Sequence, residues 1–217
     1  MKHTILTRIL AVLLLAALTV GCFTGCSGVI QEYMEAVNVS MNLDRVYVIR
    51  EGNTMYLTTE AALFRPTMRF LWNKAWRKDI TKVVILDDMK PENMEMWFRN
   101  MPNLETIEGL EKIDTSHMTH MTHLFLNCEK LKAVDGLSQW DTASVIQMQR
   151  MFDGCKSLTE LDLSGWDVSR VENMSKMFAN SGLVHIRGLE GWNTNKLEKT
   201  QGMFEGSAAA EVPAWAN

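Results

Sequence analysis

"WDTASVIQMQRMFDGC" (residues 140–155) decides how this chain is read, because the same phrase returns twice more. It recurs as "WDVSRVENMSKMFANS" (166–181) and "WNTNKLEKTQGMFEGS" (192–207), so Trp140, Trp166 and Trp192 stand 26 residues apart. Phe98, Phe125, Phe152, Phe178 and Phe204 follow at intervals of 27, 27, 26 and 26. Leucine-rich stretches fill the spaces: "LETIEGLEKI", "LKAVDGLSQW", "LTELDLSGW" and "LVHIRGLEGW". Residue type and spacing recur together, which is the mark of a repeat architecture. Five rungs are readable between about Leu86 and Trp215, the outer two imperfect.

Each rung divides into two halves. Val145, Met148, Met151 and Phe152 fall at i, i+3, i+6 and i+7, the apolar stripe of a short helix. Asp141 or Thr142 stands ahead of it as an N-cap. Leu158, Leu161 and Leu163 mark a turn into a short strand. One such unit cannot bury its own apolar face, so neighbouring rungs are expected to stack around a shared core. That core is expected to hold Met148, Met151, Phe152, Met174, Met177 and Phe178, with Trp140, Trp166 and Trp192 opening each rung. The alternatives are a promiscuous methionine surface and an exposed aromatic platform for sugars. Ile113 heads the tryptophan column, and an isoleucine cannot stack on a sugar face.

"SHMTHMTHLF" (116–125) places His117, His120 and His123 three residues apart, which raises a metal site. Sister rungs spell the same places Ser144, Gln147, Arg150 and Arg170, Asn173, Lys176. The triplet therefore reads as solvent-facing positions of the repeat, with no carboxylate beside it to complete a ligand set. No metal and no cofactor is expected. Cys128 and Cys155 share a column with Ser181 and Ser207. They are either small buried thiols or, outside the cell, a disulfide between adjacent rungs.

The chain has 217 residues, 22 basic and 26 acidic side chains and a net charge of −4. Its first 26 residues carry Lys2 and Arg8, then an apolar run from Ile9 to Val20 that is short for a membrane span. They read as a secretory signal, and "TVGC" and "FTGC" each resemble a bacterial lipobox. Lipidation is expected at Cys26, with Cys22 as the alternative and an ordinary secretory signal as the other reading. Cleavage leaves 20 basic against 26 acidic groups, a net charge of −6, which argues against nucleic acid as a partner. Residues 27–45 read as a linker, with a helical turn at "IQEYMEAV". Residues 46–85 read as an N-terminal cap, in which "RVYVIREGNTMYLTT" is a hairpin and "FLWNKAW" helps to seal the first rung. Residues 86–217 hold the rungs.

The stretch "GLSQWDTASVIQMQRMFDGCKSLTELDLSGWDVSRVENMSKMF" resembles the BspA-like leucine-rich-repeat surface proteins. Their unit reads W-[DN]-[TV]-S-x-V-x-x-M-x-x-M-F-x-x-C-x-x-L-x-x-L-[DE]-L-S. The likeness covers all five rungs and extends into "WNKAWRKDITKVVILDDMKPENMEMWFRN". It implies an α/β fold: a short leucine-rich-repeat-like solenoid with one short helix and one short strand per rung, closed by the hairpin cap. It also implies a bacterial surface or secreted protein, and some members are linked to adhesion. The last rung departs from the pattern at Thr200 and Gly202, and "SAAAEVPAWAN" replaces a leucine-rich strand, as a degenerate C-terminal cap would.

No nucleophile elbow, phosphate loop or HExxH occurs, so an enzyme is not expected. The expected function is non-catalytic binding or adhesion to a protein or glycan outside the cell by a lipid-anchored, monomeric surface protein. The face proposed for it is the two strand-side columns around Glu108, Asp135, Glu160, Asp162 and His185, acidic at one end and carrying Arg187 and His185 at the other. The alternatives are a structural envelope lipoprotein without a ligand, a secreted form, and a metal-binding or hydrolytic protein.

Overall fold

The structure is a computed structural model and describes residues 37–41, 44–59, 75–91, 93–209 and 212–216. The signal segment with Cys22 and Cys26, the "IQEYMEAV" turn up to residue 36 and the "FLWN" part of the cap lie outside the described residues.

Strands β1 (Val37–Met41), β2 (Asp44–Glu51) and β3 (Thr54–Thr58) are antiparallel neighbours. β1 lies inside the stretch read as linker. β2 and β3 join at Gly52–Asn53, and Gly52 adopts φ 57, which a residue without Cβ reaches without strain. Val46, Val48, Met55 and Leu57 are buried, the period-2 signature of a sheet with one dry face. The chain then switches sense. β3 pairs in parallel with β4 (Lys82–Ile85), and β4 with β5 (Thr106–Glu108), completing a five-stranded sheet in sequence order. Farther on, β6 (Glu160–Asp162) and β7 (His185–Arg187) form a separate two-stranded parallel sheet. Among the described residues, Ala133–Asp135, the matching stretch of the intervening rung, pairs with neither.

The helical half of each rung is corrected by the structure. Among the described residues there is no α-helix, only turns and 3-10 turns of three to five residues. The stripe at Val145, Met148, Met151 and Phe152 is real, since all four are fully buried, but consecutive turns produce it. Alternate amides bond three residues back, as Asp153 N does to Arg150 O and Cys155 N to Phe152 O. The amides between them donate to the next rung: Met148, Arg150, Phe152 and Gly154 to the carbonyls of Asn173, Ser175, Met177 and Ala179. His123, Arg150 and Lys176 hold φ of 60, 54 and 56, and Asn127 and Asn180 hold 60 and 52, values no α-helix accommodates. The helix pattern was thus satisfied by a different hydrogen-bond plan. Asp141 is not a helix N-cap: its Oδ1 accepts from Ala143 N at 3.0 Å, a local Asx turn, while Thr142 Oγ1 donates to Asp167 O of the next rung. The expected α/β solenoid, with one helix and one strand per rung, is therefore not what forms. Short strands in two small sheets, without one continuous sheet closing around the rungs, take its place.

The interior is ordered by columns. Phe98, Phe125, Phe152 and Phe178 stack at centroid distances of 5.5, 5.3 and 5.9 Å with nearly parallel ring planes, and Phe204 follows at 5.2 Å. Met148, Met151, Met174 and Met177 are fully buried beside them. Trp140 and Trp166 are buried, and their Nε1 groups donate to Leu110 O and Leu137 O of the preceding rung. Trp192 is buried against Trp215 at 5.8 Å. Burying a side chain of this size contributes about 2–3 kcal/mol by transfer alone. Cys128 and Cys155 are buried free thiols, donating to the carbonyls of Phe98 and Phe125, one rung back. Burial pushes the Cys128 thiol up to about 12 and Cys155 well above its ordinary value, so neither is a ready nucleophile.

Candidate functional site

On the strand side, three-residue strands present one buried residue between two exposed ones: Leu161 lies inward between Glu160 and Asp162, while Ile186 is half-buried between His185 and Arg187. Parallel register puts Glu160 beside His185 and Asp162 beside Arg187. Where pairing lapses at Ala133–Asp135, a cleft of about 430 Å3 opens between the second and third rungs. Asp135, Glu160, Asp162, His185, Arg187 and Lys132 all reach its walls.

Four of the five residues singled out from the sequence therefore meet in one place. Glu108 does not join them; it sits on β5 and its carboxylate pairs with Lys82 at 2.6 Å. Arg187, at the basic end of the expected patch, lines the cleft too, as does Lys132, which the sequence reading left out. Lys132 is held by Glu105 at 2.6 Å, and Arg187 approaches Asp162 at 3.9 Å. Ser164 donates to Asp162 through both its hydroxyl and its amide, holding that carboxyl below the usual range. All these groups are well exposed, so the cleft is a wet, mixed-charge surface.

The rungs also differ in how they turn after the strand. Rungs one, two and four turn on a left-handed glycine, Gly109, Gly136 and Gly188, followed by a 3-10 turn. Rung three replaces this with "LDLSGW" and reaches its tryptophan with one residue fewer than "VDGLSQW".

The histidine triplet lies on the opposite, turn side. His120 forms a parallel bridge with Gln147, which bridges Asn173, which bridges Lys199, so the column is as the repeat spelled it. His117 and His120 are exposed, but His123 is half-buried with its Nδ1 unpartnered, contrary to the expectation that all three face solvent. Burial, and then the Arg99 and Arg150 cations, lower its pKa. Among the described residues no group of three or more His, Cys, Asp or Glu is placed to hold a metal ion, and no helix is long and apolar enough to cross a membrane.

One side chain that the sequence reading passed over organises the N-terminal end. Arg77 is 2% exposed, and its Nη2 donates to both Trp97 O and Arg99 O at 2.9 Å. Burial lowers its pKa to about 10, which leaves it cationic at neutral pH. A buried arginine without a carboxylate is costly, so its position over carbonyls of the first rung is the compensating feature.

Comparison with curated proteins gave no match, and comparison with solved structures gave none either. Residues 92–215 match the family model described as "Mycoplasma protein of unknown function, DUF285", a stretch of more than half the chain. It covers the rungs, the tryptophan and phenylalanine columns and the strand-side cleft, and the chain therefore belongs to the DUF285 family.

Proposed function

We propose that the protein is a non-catalytic binding protein held at the bacterial surface through a lipidated Cys26, or Cys22, and that it recognises a polar protein or glycan ligand through the strand-side cleft. The observation that carries the reading is the convergence of Asp135, Glu160, Asp162, His185 and Arg187 on one open cleft. The resemblance to BspA-like surface proteins, some of them linked to adhesion, supports the same reading. Both charge signs line the cleft, so the ligand offers complementary charges or hydroxyls and its binding weakens with salt. Exposed contacts of this kind are individually weak, so binding is spread over several of them.

The test uses the full chain with Cys22→Ser and Cys26→Ser, screened against matrix proteins and glycans, and repeated with Asp135→Lys and Asp162→Lys together. A ligand lost on the double reversal supports the reading. A ligand insensitive to it but lost on changes at Arg150, Arg170 and Lys176 moves the binding face to the turn side. Absence of any ligand leaves a structural envelope role. Labelling cells with a clickable palmitate analogue tests the anchor: label lost only on Cys22→Ser places it at Cys22, and no label in the native chain removes it.

A further inference from the structure

The turn-side ladder has a direction. Met96, Phe98 and Asn100 donate to Thr122, Leu124 and Leu126; Met121, His123, Phe125 and Asn127 donate to Gln147, Gln149, Met151 and Asp153. The sense is unchanged at the last interface, where Met174, Lys176, Phe178 and Asn180 donate to Lys199, Gln201, Met203 and Glu205. In this part of every rung, amides point to the C-terminal end and carbonyls to the N-terminal end. An ordinary β-edge alternates donors and acceptors and pairs with a copy of itself. Over these residues the ladder ends in acceptors at one end and donors at the other, bordered by the bridge at which Gln147, Glu172 and Glu198 donate back to Thr119, Ile146 and Glu172.

The acceptor end is partly occupied from within the chain. Arg77 occupies the carbonyls of Trp97 and Arg99. The donor end is open: by register the next donors are Thr200, Gly202, Phe204 and Gly206, and no acceptor among the described residues takes their amides. Local bonds hold the row in place, from Met203 N to Thr200 O, Glu205 N to Gly202 O and Ser207 N to Phe204 O. Apolar surface accompanies it. Phe204 and Leu197 are only half-buried, whereas Phe178 and Val171, their counterparts one rung earlier, are fully buried.

We propose that this C-terminal edge is a docking site for a segment of another polypeptide, which lays a row of backbone carbonyls on the amides of Thr200, Gly202, Phe204 and Gly206 and an apolar side chain on Phe204. The segment adds a further rung, a form of strand addition with a single hydrogen-bond polarity. A second copy fits poorly: its own open edge carries the same row of donors, and on its acceptor edge Arg77 already takes the Trp97 and Arg99 carbonyls. A small anion does not fit either, because the donors are spread along residues 200–206 and the Glu205 carboxylate lies against Gly202. Trp215 against Trp192 covers the strand side of the last rung, so docking is confined to the turn side.

The probe is a synthetic peptide of residues 166–190, whose carbonyls at Asn173, Ser175, Met177 and Ala179 are those that rung three already uses. Amide exchange is followed by NMR on the full chain carrying Cys22→Ser and Cys26→Ser. In the free chain the four edge amides exchange fast while those of Met174, Lys176, Phe178 and Asn180 are protected; saturating peptide slows the four by about tenfold or more. A scrambled peptide has no such effect, and Phe204→Ala weakens the response while the protected amides stay protected. Unchanged exchange at the four amides with saturating peptide overturns the proposal. So does protection of the edge in the free chain with a doubled sedimentation mass, which assigns it to a second copy, or equal slowing by inorganic phosphate, which assigns it to anions.

Discussion

On the turn side, each of four successive rungs gives three or four alternate amides to carbonyls of the next, from Met96, Phe98 and Asn100 to Met174, Lys176, Phe178 and Asn180; on the strand side, pairing stops at Ala133–Asp135 and resumes only between β6 and β7. The turn side tolerates no change of length inside the ladder, because each donor is matched to a carbonyl and each phenylalanine to the ring behind it. The strand side holds three-residue strands with a single inward side chain, so few hydrogen bonds hold each pair, and the cleft lies where pairing lapses. Stability therefore concentrates on one side of the rung, and surface available to a ligand on the other.

The largest expected effect is loss of a stacked aromatic. Phe152→Ala removes a fully buried ring between Phe125 and Phe178 and should cost about 3–5 kcal/mol in urea unfolding. Trp166→Ala should cost a similar 3–5 kcal/mol or so, because a buried ring and its bond to Leu137 O go together. Leu161→Ala, beside the cleft, should fall near the lower end for such truncations, about 2 kcal/mol. An equal or greater loss at Leu161 than at Phe152 would break the comparison.

Backbone substitutions come next. Gly188 has φ 97, and a Cβ there would lie 2.6 Å from the backbone of Ser164, so Gly188→Ala should lower stability by about 1–3 kcal/mol. Gly154→Asn sharpens the contrast. Its φ of 80 is left-handed too, but its column holds Asn100, Asn127 and Asn180 as well as Gly206, and the nearest atom is the movable Asn127 side chain. A change within about 0.5 kcal/mol is expected by thermal denaturation.

Acid titration tests the turn side separately. Burial and the neighbouring Arg99 and Arg150 lower the His123 pKa, while Glu95 and Asp153 oppose them less strongly. The unfolded chain then binds that proton more readily, so this contribution to stability is present above the ordinary value of 6.5 and is lost as pH falls through and below it. The melting temperature should decline between pH 7.5 and 5, and His123→Gln should flatten that part of the curve. The smallest effect belongs to the cleft: Asp135→Lys with Asp162→Lys should leave the melting temperature nearly unchanged, because both carboxylates are exposed. A large loss would mean that these charges hold the rungs together instead of facing a ligand.

The columns were legible before any coordinates, since Phe98 to Phe204 and Met148 to Met177 recur at intervals that only stacking explains. The turn-side chemistry was not. A stripe at i, i+3, i+6 and i+7 reports which side chains share a face, but not whether the amides between them bond within the rung or to the next one. Arg77 was missed for a related reason: its partners are backbone carbonyls of Trp97 and Arg99, twenty and more residues away, and a carbonyl has no letter of its own.

Repeat register, the identity of the core columns and the exposure of Asp135, Glu160, Asp162 and His185 are properties of residue order, because burial follows side-chain chemistry and periodicity. Which hydrogen bonds replace a helix, where the sheet parts, and that the ladder runs in one direction with one end partly occupied and the other open are decided only when rungs meet. Backbone amides and carbonyls are the same at nearly every position, and only the packed chain assigns their partners.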